Sequence, residues 1–265
     1  MTVRFKDELT DLEKLALVPI SYSRLNTYFD KQYGCKAKYF YQYIQKEKQD
    51  FGPYALLGNV VHEVLENVLD DGLIVTPHLS ELLKMEFDFS LANLDTEGII
   101  TEQMQIVGVD MLNEFVDRHV GERLIIEEKE LAFEVVIGSA LVRGFIDRID
   151  VHEKRVVITD YKSGKQEVPQ KNIPHNLQLG IYALVAEKLY PGKEIFAQLY
   201  YLRSGRQKGH LFTRDDLSAI ETNLTSLVNE LMTRQNFEPT PNARACYGCS
   251  FAKNGVCPTG ARRLR

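Results

Sequence analysis

The sequence predicts an α/β fold in which a mixed β-sheet of four to five strands is flanked by helices. Three consecutive segments between residues 124 and 163 are rich in β-branched residues and separated by short turns. This pattern is typical of an antiparallel meander. A helical segment then separates the third strand from a fourth. A helix in that position can form a right-handed crossover between parallel strands, which makes the sheet mixed.

The first part of the chain, about residues 1–120, is predicted to be helical. A short helix is expected over residues 7–17, and Ser21 or Ser23 can cap the next one, in "YSRLNTYFDKQYG". Another helix is expected in "CKAKYFYQYIQ". The tyrosines of these two segments are interpreted as packing residues, and stacking on nucleic-acid bases is the alternative.

The strongest helical signal lies in residues 54–70, "YALLGNVVHEVLENVLD". Val61, Val64, Leu65 and Val68 recur there at helical spacing, which indicates one apolar face. Two or three further helices are expected within residues 77–93 and 98–119.

The second half of the chain alternates between strands and helices. "NLQLGIYALVAEKLY" is predicted to be a helix that stops before Pro191, and "EIFAQLYYLR" a strand followed by a basic turn, "RSGRQKGH". A last long helix is expected over about residues 214–236. We assign residues 1–265 to one domain with three parts: helices over about 1–120, a sheet core over about 121–212, and a C-terminal helix with a cysteine cluster over about 213–265.

The composition, the net charge and the absence of certain motifs limit the classes of protein to which the chain can belong. The chain has 265 residues, 44% hydrophobic residues, 26% charged residues and a net charge of −5, which are ordinary values for a globular protein. A nucleic-acid binder with this balance must concentrate its basic residues locally. The sequence contains no P-loop, no apolar run long enough to cross a membrane and no secretory signal, so we expect a cytoplasmic protein without a membrane partner.

Four cysteines suggest a metal site. Cys246, Cys249 and Cys257 form a C-x2-C-x7-C cluster, and Cys35 lies far upstream. Structural disulfides are rare inside cells, whereas four thiolates suit either zinc or an iron–sulfur cluster. If all four cysteines are ligands, the metal cluster joins the two ends of the chain.

Charged residues interrupt two of the predicted strands. Asp147 lies on the second strand, and Asp160 and Lys162 share one face of the third. A hairpin between these strands brings all three together. Carboxylates with open positions hold Mg²⁺ or Mn²⁺ beside a phosphate, and a lysine can position a water or stabilise charge. A structural salt bridge is the simpler alternative.

The order of these motifs resembles a known family. "GFIDRID", "ITDYKSGK" and "NLQLGIYA" are similar to successive motifs of the PD-(D/E)xK nuclease superfamily, especially its RecB-like branch, which includes the AddB nuclease domain and CRISPR-associated exonucleases. That branch carries a histidine on an upstream helix, here His62, and a Q-x3-Y pair, here Gln178 and Tyr182. Its iron–sulfur subset has one N-terminal and three C-terminal cysteines. The resemblance spans roughly residues 20 to 258.

The resemblance implies a restriction-endonuclease-like core and a role for each motif residue. His62, Asp147, Asp160 and the main-chain carbonyl of Tyr161 would bind the metal, and Lys162 would act on the attacking water. Gln178 and Tyr182 would contact DNA or support the site. The cysteines expected to hold a 4Fe-4S cluster, with Zn²⁺ as the alternative, are Cys35, Cys246, Cys249 and Cys257.

Three features depart from the family pattern. Ile146 replaces the proline before the first aspartate, Asp160 replaces the commoner glutamate, and the x7 gap before Cys257 is longer than usual. The shorter carboxylate of Asp160 would shift the metal or the strand slightly.

The expected function is a Mg²⁺- or Mn²⁺-dependent DNA nuclease, with exonuclease action on single strands or ends. The basic segments "SGKQEVPQK" and "LRSGRQKGH" are candidates for phosphate contacts. Expected partners are DNA and a helicase or other proteins of recombination, DNA repair or CRISPR adaptation. The alternative is a non-catalytic nucleic-acid-binding or adaptor module that keeps only the four-cysteine metal site.

Overall fold

A computed structural model describes residues 4–5, 18–49, 52–95, 97–137, 140–233 and 237–264. The chain divides into two compact units. The assignment of residues 1–265 to a single domain stays a prediction, and the helix predicted over residues 7–17 lies outside the described residues. The larger unit consists of Pro53–Phe133 and Phe145–Glu221, and the smaller unit of Thr2–Gly52, Glu134–Gly144 and Thr222–Arg265.

Among the described elements, two short strands come first, several helices follow, and helices then alternate with the remaining strands. The strands are β1 (Arg4–Phe5), β2 (Val18–Ile20), β3 (Glu128–Ile137), β4 (Ala140–Val151), β5 (Arg155–Lys162), β6 (Glu194–Tyr201) and β7 (Arg206–Phe212). The helices are α1 (Tyr22–Phe29), α2 (Lys36–Tyr39, continued by a π-helical turn over Phe40–Ile44), α3 (Pro53–Val68), α4 (Leu79–Leu94), α5 (Glu102–His119), α6 (Leu177–Leu189, preceded by a 3-10 turn over Gln170–His175), α7 (Arg214–Thr233), α8 (Ala243–Tyr247), α9 (Ser250–Lys253) and α10 (Pro258–Arg263).

The predicted α/β fold with a mixed sheet is confirmed. The strands follow the order β3-β4-β5-β6-β7. β4 and β5 are antiparallel, β5 and β6 are parallel, and β6 and β7 are antiparallel. The parallel pair is connected through α6, as the sequence predicted. In the smaller unit, β1 pairs with β3 at Val135 and Val136, and β2 pairs in parallel with the start of β4.

The predicted number of strands was too low, because seven are described instead of four to five. β1 and β2 contain two and three residues, which is too short to show an alternating pattern. Within "RSGRQKGH" the turn ends at Gly205, and β7 begins at Arg206. The polar composition of this strand hid it from sequence reasoning, since only its last two residues are large and apolar.

Three helices of the larger unit pack around one apolar core. Leu57 of α3, Phe87 of α4 and Phe115 of α5 are buried in it. Gly108 allows α5 to approach closely, since a Cβ atom there would lie 2.6 Å from the Phe87 ring. The core fixes α3, which carries His62, against its neighbours.

The smaller unit brings the N-terminal and C-terminal segments together. The Ser21 side chain caps α1, as predicted, by accepting the Arg24 N–H at 3.2 Å. Tyr28 and Tyr39 are buried and pack edge to face, which agrees with the packing interpretation for these two tyrosines. The Arg244 guanidinium donates to Gln32 Oε1 at 2.8 Å.

None of the helices in the described part of the chain has both the length and the apolar character needed to cross a membrane.

Candidate active site

Asp147 and Asp160 lie side by side in the larger unit. Arg148 pairs with Thr159 across β4 and β5, and Ile149 pairs with Ile158. One further step in this register places Asp147 opposite Asp160. Opposite residues of a strand pair point to the same side of the sheet. Asp147 is also fixed by the main chain of β5, because its Oδ2 atom accepts the Tyr161 N–H at 2.7 Å.

His62 reaches the two aspartates from α3. The apolar face of α3 buries Val61 and Val64, and this packing orients the histidine next to it. His62 Nδ1 lies 3.5 Å from Asp147 Oδ2. Burial lowers the pKa of His62, although the charge of Asp160 and a hydrogen bond with the main chain of Tyr161 act in the opposite direction. A neutral imidazole is the form that binds metals.

Glu130 joins this group and was not predicted. Potential ligand atoms of His62, Glu130 and Asp147 all lie within 4.8 Å of one another. Glu130 has φ of 44°, in the left-handed region that side chains other than glycine rarely adopt. Such strain is often found at functional sites. No sequence signal distinguished this residue from its neighbours Glu127 and Glu128.

The carboxylates of this group repel one another. Burial, and next the charge of Asp147, raise the pKa of Glu130 to about 7. Burial, and next the charge of Asp160, raise the pKa of Asp147. A divalent cation would offset this repulsion. The imidazole and the carboxylate oxygens are suitable donors for Mn²⁺, and the carboxylates for Mg²⁺, so the residues present fit a divalent cation.

Lys162 is held between the carboxylates and α6. Its Nζ atom lies 2.5 Å from Asp160 Oδ2 and donates to Gln178 Oε1 at 2.9 Å. Gln178 Nε2 in turn donates to the Tyr182 hydroxyl at 2.9 Å. The predicted Q-x3-Y pair therefore lies one turn apart on α6 and supports the lysine through a chain of hydrogen bonds.

A cleft of about 250 Å³ lies beside these residues, and its lining includes His62, Glu130, Asp147 and Tyr161. Gly58 of α3 lets the helix pass close to the end of β5, because a Cβ atom there would lie 2.7 Å from Ser163 Oγ. The arrangement can hold a cation next to a lysine at β4 and β5, which are interior strands of the sheet.

Comparison with protein families identifies the superfamily to which the chain belongs. The model of the PD-(D/E)XK nuclease superfamily matches residues 19–258. The chain belongs to this superfamily. The match includes the strands that carry Asp147, Asp160 and Lys162, and it agrees with the resemblance seen in the sequence motifs.

Two curated relatives of this superfamily member match only part of it. Gene 69 protein of Mycobacterium phage D29 is 30% identical over 136 residues, which cover 49% of this chain and 47% of the relative. The DNA replication ATP-dependent helicase/nuclease JHS1 of Arabidopsis thaliana is 28% identical over 107 residues, which cover 39% of this chain and 8% of the relative. The chain thus matches less than half the length of either relative.

Solved structures include the crystal structure of a Eubacterium rectale protein provisionally named an exonuclease. It shares 12% sequence identity with this PD-(D/E)XK chain, with a TM-score of 0.47. The match covers 83% of this chain and 85% of the other.

Three cations of the basic segment "LRSGRQKGH" have partners within the protein. Arg206 and Lys208 both pair with Glu167, at 2.7 and 2.9 Å. The Arg203 guanidinium donates to the Ser163 carbonyl oxygen at 2.7 Å. These three cations already have partners in the chain. Their predicted phosphate contacts would require exchanging those partners.

The four cysteines of this nuclease-superfamily member lie in the smaller unit. Cys35, Cys246, Cys249 and Cys257 line one cavity of about 320 Å³. Burial raises the pKa of Cys246, and the charges of the other three cysteines act in the same direction. Among the described residues, no group of three or more potential ligand atoms within 4.8 Å of one another includes a cysteine.

Proposed function

We propose that this PD-(D/E)XK protein is a Mg²⁺- or Mn²⁺-dependent nuclease that hydrolyses phosphodiester bonds in DNA. The observation that carries the proposal is the convergence of a histidine, carboxylates and a lysine at the interior strands β4 and β5. His62, Glu130 and Asp147 are close enough to share a cation, and Lys162 lies beside Asp160. A bridge between Lys162 and Asp160 alone would not explain why two further carboxylates and an imidazole are gathered there.

Several residues of the site are assigned to binding the cation. His62, Glu130 and Asp147 would hold the cation, with Asp160 and the carbonyl oxygen of Tyr161 as further candidate ligands. The bound cation supplies a Lewis acid and lowers the pKa of a coordinated water. The Tyr161 N–H keeps the Asp147 carboxylate oriented through its 2.7 Å hydrogen bond.

Lys162 is the residue that we assign to the reacting phosphate and the attacking water. Its ammonium group lies between Asp160 and Gln178, so its position does not depend on substrate. A fixed ammonium can orient a water molecule or stabilise charge that develops on the phosphate oxygens. Gln178 and Tyr182 are positioning residues that hold the lysine.

The sequence motifs support a finer assignment to the RecB-like branch. We infer exonuclease action on DNA ends, with single strands as a substrate. The name of the Arabidopsis relative describes it as both a helicase and a nuclease. A helicase or another protein of recombination, DNA repair or CRISPR adaptation is the partner that we propose.

The direct test is degradation of DNA labelled at the 5′ or the 3′ end, in single-stranded and double-stranded form. We expect degradation with Mg²⁺ or Mn²⁺ and none with a chelator. Products that shorten progressively from one end would support exonuclease action. The absence of metal-dependent degradation of every substrate would contradict the proposed function and favour a binding or adaptor module.

For the smaller unit we propose a structural 4Fe-4S cluster bound by the four cysteines. The cysteines line one cavity, so four thiolates from distant parts of the sequence are available to one metal site. One N-terminal and three C-terminal cysteines match the iron–sulfur subset that the sequence resembles, and zinc is the alternative.

Replacing Cys35 with alanine tests the cluster. Iron content should fall steeply in Cys35→Ala and Cys246→Ser, and limited proteolysis should cut the smaller unit faster, because the ligands fasten segments far apart in the sequence. Asp147→Asn is the control and should keep its iron. Stoichiometric zinc in the wild-type protein would favour the zinc alternative, and unchanged metal content in Cys35→Ala would exclude a four-ligand site.

A further inference from the structure

A second cavity lies in the larger unit, and neither Glu130 nor Lys162 lines it. The space between its walls is about 610 Å³, part of which is open to solvent. It is lined by residues from α5, β4, β5, β6 and the loop after α5. Among them are Phe115, His119, Thr159, Gln198 and Tyr200.

Two polar atoms at this cavity are buried and unpartnered. The Tyr200 hydroxyl and His119 Nε2 have no hydrogen-bond partner among the residues that the structure describes. Tyr200 is 2% exposed. A buried polar group without a partner is unfavourable, so these atoms are places where a ligand can gain a hydrogen bond.

The cavity offers both donors and acceptors. The Glu122 carboxylate lies 2.6 Å from His119 Nδ1. This contact favours a proton on Nδ1 and leaves Nε2, the atom without a partner, available to a ligand. The Tyr200 hydroxyl can donate, and the Gln198 amide, which already donates to Thr159 Oγ1 at 3.0 Å, still has free capacity.

The formal charges that line the cavity balance. The Arg148 guanidinium donates two hydrogen bonds to the Asp150 carboxylate, at 2.6 and 2.8 Å, so Asp150 balances its charge. Arg123 and Glu122 contribute one charge of each sign at the rim. A bare phosphate would find little excess positive charge there. A neutral ligand is therefore favoured over an anion.

Aromatic rings form much of the remaining wall. The rings of Phe115 and His119 are 4.7 Å apart, and those of His119 and Tyr200 are 5.6 Å apart. Aromatic side chains together with amides that can both donate and accept are the groups that proteins use to bind nucleobases.

We propose that this cavity binds the nucleobase of a nucleoside. This binding site goes beyond the proposed nuclease function and does not depend on it, because neither Glu130 nor Lys162 lines the cavity. Tyr161 and Arg148 line both the cavity and the cleft at the candidate metal site.

The test is titration of the full chain with adenosine, guanosine, cytidine and thymidine, followed by calorimetry or ligand-observed NMR. We expect at least one nucleoside to bind, and the Tyr200→Phe and Gln198→Ala variants to bind it about 3- to 10-fold more weakly, the effect of one lost hydrogen bond. Tyr190→Phe is the matched control outside the cavity. Asp147→Asn should keep nucleoside affinity even if it abolishes cleavage.

Three results would overturn the proposal. One is the absence of binding by every nucleoside at millimolar concentration. Another is binding that is lost in Asp147→Asn and unchanged in Tyr200→Phe, which would place the nucleoside in the cleft. A third is inorganic phosphate that binds as tightly as the nucleosides and competes with them, which would indicate an anion site. Because these titrations require no cleavage, failure of the nuclease assay would leave them interpretable.

Discussion

The Lys162→Ala variant should bind a divalent metal as the wild-type protein does and cleave DNA about 10²- to 10⁴-fold more slowly, the range typical of a lost acid–base group. The lysine is outside the group of potential ligand atoms formed by His62, Glu130 and Asp147. Its Nζ atom instead contacts Asp160 and Gln178. We therefore expect the loss to appear in kcat, with metal-induced thermal stabilisation preserved.

The variant also removes a charge from a buried partner, so its folding needs a separate measurement. Asp160 is only 2% exposed and loses the cation that lies 2.5 Å from it. Circular dichroism and Tm determine whether the protein is still folded. Lys154→Ala, in the exposed turn between β4 and β5, is the matched control and should retain full activity. A folded Lys162→Ala protein that cleaves DNA at the wild-type rate would show that the lysine has only a structural role.

Asp147→Asn should abolish both cleavage and metal binding. The substitution keeps the size of the side chain, and its carbonyl oxygen can still accept the Tyr161 N–H, but it removes a negative charge from the ligand group. In the wild-type protein, a metal present at 100 times its Kd adds about 2.7 kcal/mol to the free energy of unfolding. We expect this gain to be absent in the variant.

The metal-free Asp147→Asn protein should, in contrast, be more stable than the metal-free wild type. Burial and the charge of Asp160 disfavour the ionised form of Asp147 in the folded state, and asparagine has no such charge. Thermal melts with a chelator and with Mg²⁺ or Mn²⁺ separate the two effects. Asp110→Asn is the same substitution at an exposed position of α5. It should change neither the stability of the metal-free protein nor the stabilisation by metal. A variant that kept its metal-induced stabilisation would exclude Asp147 as a ligand.

Sequence reasoning predicted the parts of the fold that have strong local patterns. The helical crossover between β5 and β6 follows from two β-branched strands and an intervening apolar helix. The strands that it missed lack such a pattern. β2 has only three residues, and β7 is largely polar.

Sequence reasoning predicted those residues of the candidate site whose positions in the sequence are enough to place their side chains together. The meander aligns Asp147 with Asp160, and the four-residue spacing of Gln178 and Tyr182 places both on one side of α6. Glu130 could not be found in this way. Strand periodicity assumes an extended backbone, and the left-handed conformation at Glu130 breaks the alternation that such reasoning uses.

The strained backbone at Glu130 has a consequence for how this protein can evolve or be engineered. Glycine would relieve a left-handed conformation that costs another residue roughly 1–2 kcal/mol. It would also remove a carboxylate that burial and Asp147 keep in an unfavourable environment. Selection for thermal stability alone would thus replace this glutamate, and so would stability-guided design. A substitution at position 130 that raises the stability of the protein would therefore also remove a candidate metal ligand.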